Sequence, residues 1–332
     1  MTAVWLVAIL SVGLMGFAIQ RGGTCMVAAV DEVLSQRRAH RLTAMLEASL
    51  WVVGGLALAQ LAHWMRGMPG GYDITQWTVV GGLLLGLGAW VNGACVFGAI
   101  ARLGSGQWAQ ALTPLGFYVG SLSVGVIFQP QAPHPSTAAS AWPWWSGASW
   151  LAPMFVLYAL WRVGPGLLAH WRQRHRHRHH ITQLAERVWA PHSATIVIGV
   201  TFVVTLLLAG PWAYTDVLAR LAQNMHNGDW QALTLPVLLL LALYAGALIG
   251  GWTAGRWRPA RPSPTDGLRA FTGGALMGCG SLLIPGSNDG LLFIGIPLLR
   301  PYAWLALASM VLAIAAALLL QRAWLARRAV AC

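Results

Sequence analysis

The chain has 332 residues, 57% of them hydrophobic and only 9% charged, with 21 basic against nine acidic side chains and a formal charge of +12. A soluble domain carries about 25% charged residues, so this composition excludes a water-soluble globule. All the bases are arginines set in short stretches between apolar runs, which excludes nucleic-acid binding as the reason for the charge.

Apolar runs predict spans near 3–20, 41–62, 76–92, 108–128, 148–168, 193–210, 231–254, 268–284 and 301–320, each close to the ~20 residues that cross a hydrocarbon core. The opening stretch lacks a charged n-region and reads as the first span, not a cleavable signal. Four shorter segments, near 23–35, 95–103, 212–222 and 287–298, each follow a span and a Gly, Pro or polar interruption. They read as half-helices or re-entrant pieces, because irregular backbone at membrane depth survives only buried in protein or lining a polar cavity. The predicted fold is an all-α polytopic membrane protein of about nine transmembrane helices plus four short half-helices.

Arginine placement sets an orientation. With the loop over 170–189 inside, Arg37, Arg38, Arg41, Arg256, Arg258, Arg261, Arg322, Arg327 and Arg328 also fall inside, and only Arg66, Arg220 and Arg300 fall outside. This predicts an outer N-terminus, a cytoplasmic C-terminus and a place in the bacterial inner (plasma) membrane. The segment 131–145 reads as an external loop, and Trp142, Trp144, Trp145 and Trp150 as an interfacial aromatic belt. The run "RHRHRHH" over 174–180 reads as a polybasic loop near anionic headgroups, with loose metal binding as the competing reading. No metal site or cofactor is predicted.

"GGLLLGLGAWVNGACVFG" from Gly81 is matched 192 residues later by "GGALMGCGSLLIPGSNDG" from Gly273. Gly81, Gly82, Gly86, Gly88 and Gly98 align with Gly273, Gly274, Gly278, Gly280 and Gly290, and Cys95 aligns with Ser287. The expected division is a first repeat over 1–130, a loop, linking helix and basic loop over 131–190, and a second repeat over 191–332. One extra span between the copies inverts the second. Inverted repeats with broken helices are a transporter or channel architecture.

Cys25, Cys95 and Ser287 each open a short apolar segment after a break. A half-helix N-terminus offers free N–H groups and the positive dipole end, which suits an anion and activates a thiol. By parity Cys25 and Cys95 lie toward the cytoplasm and Ser287 toward the outside, so donors stand at successive depths. Gln20, Asn92 and Asn288 are candidate donors to the solute or caps of the breaks. Arg21 and Arg102 border the inner half-helices, either drawing an anion to the exit or anchoring the inner face. Asp289 sets a carboxylate near the outer mouth. Cys279 reads as packing, Cys332 as inert, and Asp31-Glu32 as a solvated interfacial pair.

"QRGGTC", "NGACVFGAIARLGSG" and "GGALMGCGSLLIPGSNDG" resemble the three signature segments of the YeeE/YedE sulfur-transport family, whose members include thiosulfate permeases. The resemblance implies nine spans in inverted repeats with four short helices. It also implies a narrow pore in which three cysteines hand thiosulfate inward through S–H hydrogen bonds. Cys25 and Cys95 match the first two cysteines. At the third, the family's Gly-Cys-Asn is Gly286-Ser287-Asn288 here. A serine still donates a hydrogen bond but performs no thiol exchange.

The expected function is uptake of a small inorganic sulfur anion, thiosulfate first, by a permease and not an enzyme. Two other readings stay open. One is the same fold carrying sulfide, a selenium oxyanion or another small anion. The other is a membrane thiol relay passing persulfide sulfur to a cytoplasmic sulfur-carrier protein. The expected partners are the anion, the lipid bilayer and such a carrier, with no nucleic acid.

Overall fold

A computed structural model describes residues 2–65, 70–127, 144–173, 188–227, 233–284 and 286–331. The loop over 131–143, the histidine-rich run 174–180, Arg66 and Cys332 lie outside the described residues. The helices are α1 (Thr2–Gly22), α2 (Met26–Gln36), α3 (His40–Leu61), α4 (Gln76–Asn92), α5 (Val96–Gly104), α6 (Leu112–Ile127), α7 (Trp144–Gln173), α8 (Pro191–Ala209), α9 (Tyr214–Asn227), α10 (Thr234–Thr253), α11 (Pro264–Leu283), α12 (Asn288–Gly290) and α13 (Pro301–Ala331). α12 runs straight into a π-helical turn over Leu291–Gly295. Among the described residues the only β-structure is an isolated bridge between Gln107 and Ala260.

The molecule is an all-α polytopic membrane protein, with every expected span and short segment helical. Six helical units are long and apolar enough to cross a bilayer, and a seventh if α11 and the Asn288–Gly295 segment count as one span bent by 53°. The expected count of nine is therefore higher than length and composition alone support. α6 has sixteen residues, and α7 is diluted by Trp, Ser, Gly and two internal prolines, Pro153 and Pro165. Two breaks are shallow, so α1 with α2 (from Ala3) and α4 with α5 each pass as one apolar unit.

Local chemistry starts and stops these helices. Ser263 accepts the Asp266 N–H at 3.1 Å ahead of Pro264 and opens α11. Thr75 and Thr78 form a reciprocal capping box on α4. α4 ends at Gly93, whose φ of 70° is left-handed.

The packing partners come in matched pairs. α1 packs on α10 as α8 packs on α3, α4 packs on α13 as α11 packs on α6, and α2 packs on α13 as α9 packs on α6. α4 and α11 cross each other antiparallel through glycines. A Cβ on Gly81 would sit 2.7 Å from Gly280 O, and one on Gly88 would sit 2.7 Å from Gly273 O. Real side chains do not approach backbone that closely, so both helix faces need glycine.

α7 stands outside this pairing and is held on α3. Trp51 packs edge-on against Phe155 at 5.2 Å. Glu47, buried on α3, accepts from Tyr158 OH at 3.0 Å and Arg162 Nε at 2.8 Å, and also meets His192 Nδ1 at the start of α8. Asp31 and Glu32 are paired, unlike the solvated pair expected. Arg322 Nη2 donates to Asp31 at 2.6 Å, and Arg41 lies 3.4 Å from Glu32, tying the end of α2 to α13 and α3.

Gly81→Val should destabilise the α4–α11 crossing by about 1–3 kcal/mol, the range for overpacking. Gly164→Ala, where a Cβ meets open space, should be near neutral. Thermal unfolding of the detergent-solubilised protein, followed by size-exclusion fluorescence, distinguishes the two.

Candidate functional site

Four residues occupy one structural role. Cys25 O, Cys95 O, Ala213 O and Ser287 O accept the first helical N–H bonds of α2, α5, α9 and α12, at 3.0, 2.8, 3.2 and 2.8 Å. Each follows a Gly or Pro break, so each helix opens inside the protein. The side chains of Cys25, Cys95 and Ser287 make no cap bond to their own helices.

Cys25 and Cys95 lie side by side. The Met26 N–H donates to Cys95 Sγ at 3.1 Å, and a Cβ on Gly98 would stand 2.6 Å from Cys25 Sγ. Glycine at 98 is therefore the space that admits the Cys25 thiol against α5. Both cysteines are free and buried.

The second pair of helix starts carries hydroxyls. Thr215 and Ser287 meet at 2.5 Å and both touch Asp289 Oδ1, Thr215 at 2.6 Å, so two hydroxyl protons are shared among three close oxygen contacts. The Gly290 N–H reaches the same oxygen at 3.1 Å. Tyr214 OH donates to Val96 O at 3.2 Å, on the residue after Cys95. This bond links the hydroxyl pair to the thiol pair. Asn288 is buried, and neither atom of its amide has a partner among the described residues.

The other expected site residues lie elsewhere. Asn92 Nδ2 donates to Ala94 O at 2.8 Å and its Oδ1 accepts from Thr113 at 3.2 Å, so it ties down the α4–α5 break. Arg102 closes the same break by donating to Gly93 O at 2.7 Å. Gln20 donates to Ser105 at 3.3 Å and packs against Gly104, Gly250 and Gly251. Arg21 donates to Thr253 at 2.8 Å and lies over the Phe17 ring at 4.9 Å. Gln20 and Arg21 therefore join α1 to α5 and α10 and stand apart from the thiols. Cys279 packs on α6, donating to Gly120 O at 3.3 Å.

Sequence reading missed Thr215 and Tyr214. The signal was present: "GPWAYT" from Gly210 is a fourth break, the counterpart of "GGTCMV" from Gly22, with Ala213 where Cys25 stands. The Thr215–Ser287 contact spans 72 residues and no local pattern encodes it.

The ring pairs Phe97–Phe293 at 5.5 Å and Phe202–Phe293 at 5.0 Å close the space between the helix starts. Two voids of about 10 Å³ flank them, one bordered by Thr24 and the other by Tyr214 and Asp289. Each holds about one water at most, so among the described residues the space beside these rings is closed to a solute. A cavity of about 630 Å³ opens beyond the α4–α5 break, reaching Val27 on α2 and bordered by Asn92, Arg102, Arg261 and Arg269.

The family model for sulphur transport matches residues 21–316. The chain belongs to this sulphur-transport family. It is also similar to the thiosulfate transporter TsuA of Escherichia coli (strain K12), at 26% identity over 334 residues, covering 91% of this chain and 90% of that protein. The thiosulfate transporter TsuA of Spirochaeta thermophila (strain ATCC 700085 / DSM 6578 / Z-1203) is 24% identical over 320 residues, covering 88% and 92%. The matched region takes in all four helix starts.

Gly98→Ala should leave the helices intact, since alanine favours helix, yet displace the Cys25 thiol. Solute flux is expected to fall about tenfold, a 1.4 kcal/mol effect. Circular dichroism beside a flux assay on the purified variant checks both halves of that expectation.

Proposed function

We propose that this protein is a thiosulfate permease of the bacterial inner membrane, working as a passage and not as an enzyme. The observation that carries the reading is the run of buried donors from Ser287 and Thr215, through Tyr214, to the adjacent thiols of Cys95 and Cys25. It is supported by membership of the sulphur-transport family and by the two thiosulfate transporters to which the chain is similar.

On this reading the halves 1–130 and 191–332 are inverted repeats of a nine-crossing fold, with 131–190 linking them. The matched helix pairings and the antiparallel glycine crossing support it. The N-terminus faces outward and the C-terminus faces the cytoplasm. Ser287, Thr215 and Asn288 meet the anion first. Each O–H, N–H or S–H donor replaces part of its hydration shell as the shell is stripped, and several weak donors in series hold it without trapping it. Cys95 and then Cys25 receive it, and the anion leaves through the cavity with Arg102, Arg261 and Arg269. Those arginines lower the energy of an anion at the inner mouth and offer a cytoplasmic sulfur-carrier protein a face to dock on. Passage requires the Phe97–Phe293–Phe202 cluster to part. Asn92, Gln20 and Arg21 hold the helix breaks and helix contacts around the path and do not touch the solute.

Purified protein in liposomes should take up labelled thiosulfate, and Cys95→Ala should abolish the flux. Flux unchanged by that substitution would sink the reading. A persulfide trapped on Cys25 or Cys95 during uptake, found by mass spectrometry, would favour the sulfur relay instead.

The joint substitution of Arg261 and Arg269 by Gln should slow uptake several-fold at low ionic strength. The deficit should shrink near 1 M salt, where the screening length falls to about 3 Å. Uptake rates across a salt series test this.

A further inference from the structure

Asp289 places a carboxylate on the route of an anion. It is buried at 4% exposure, and none of the ion pairs among the described residues includes it. The titratable groups facing it are Tyr214 and Asp216 on α9 and Tyr244 on α10, with Arg220 beyond Asp216 and Cys95 beyond Tyr214. Most of these are neutral or acidic, and Arg220 faces Asp216.

The hydrogen bonds show what the carboxylate does to the site. Ser287 OH, Thr215 OH and the Gly290 N–H all point at Asp289 Oδ1. With both hydroxyl protons held among Ser287, Thr215 and Asp289, the two hydroxyls turn lone pairs toward the path, and the outer site repels an anion. A proton on Asp289 reverses this. The carboxyl becomes a donor, and the two hydroxyls are free to swing their O–H bonds to the solute. Asn288, buried with both amide atoms unpartnered, adds a further donor that only a solute would use. The void of about 10 Å³ beside Asp289 and Tyr214 has room for one water to deliver the proton.

Resting on the thiosulfate reading above, we propose that uptake is proton-coupled, with one proton entering on Asp289 for each anion. The proton arrives from the outside and the anion binds to the freed hydroxyls and Asn288. As the anion passes to Cys95, the proton leaves Asp289 inward with it. No bond in the solute breaks and nothing is oxidised or reduced; the transmembrane proton gradient supplies the drive.

The test uses full-length protein in liposomes loaded with a pH dye, the membrane potential clamped. Adding thiosulfate outside should acidify the lumen, and a one-unit acid-outside gradient should raise accumulation up to about tenfold, since one pH unit is a tenfold ratio. Asp289→Asn should lose both the acidification and the gradient dependence, and Asp289→Glu should restore them in part. Wild-type uptake with constant lumen pH and no response to the gradient would overturn proton coupling and leave the permease reading standing. No wild-type thiosulfate flux would overturn the permease reading and this proposal with it. If Asp289→Asn does not assemble, the wild-type acidification decides alone.

Discussion

A break in a membrane helix frees backbone N–H and C=O groups where bulk water does not reach. Each such group left unpaired in hydrocarbon costs several kcal/mol. Four such breaks stand among the described residues, and the organisation around them follows from having to satisfy them. Gly93 O is taken by Arg102, Ala94 O by Asn92, Val96 O by Tyr214, and the Met26 N–H by Cys95. The first two bonds close the α4–α5 break on itself, and the last two tie it to the breaks before α9 and α2. The result is a polar centre inside an apolar protein, which a passage for an ion also requires.

Bringing the breaks together depends on how closely the helices approach. Glycines on α4 and α11 let the two backbones touch, and the short helices that follow them turn back from opposite ends of the antiparallel pair to meet. Gly98 repeats the device at smaller scale by clearing room for one thiol. Lipid tails are as apolar as leucine, so helices in a membrane gain little from hydrophobic burial against one another. Close packing and shared hydrogen bonds carry the association instead.

These mechanisms explain which features were legible in the sequence. Spans and breaks are local: twenty apolar residues, or a Gly-Gly or Pro-Gly step, declare themselves in one stretch of chain. So Cys25, Cys95 and Ser287 could be placed at helix starts without coordinates. The glycine repeat was legible as a repeat, but that α4 and α11 touch through it came only from the structure. Partners distant along the chain were not legible. Thr215 on Ser287, and Tyr214 on the residue after Cys95, depend on how α9 enters the centre. The contacts of Gln20 and Arg21 were hidden for the same reason. They stand beside Cys25 in sequence, but α1 ends with both facing α10. The pairing of Asp31 with Arg322 was hidden in the same way, because it joins opposite ends of the chain.

The larger helix contacts mostly join one half of the chain to the other: α1 with α8 and α10, α3 with α8, α4 with α11 and α13, α6 with α11. Chain emerging from a ribosome does so in order. When α1 to α6 have entered the membrane, their glycine faces and their two broken helices have nothing to lie against. The half-built protein must wait with its polar centre open to lipid until α8 to α13 arrive. Its vulnerable period is thus set by the time needed to synthesise the second half, and insertion factors that shield polar helix faces have most to do during that interval.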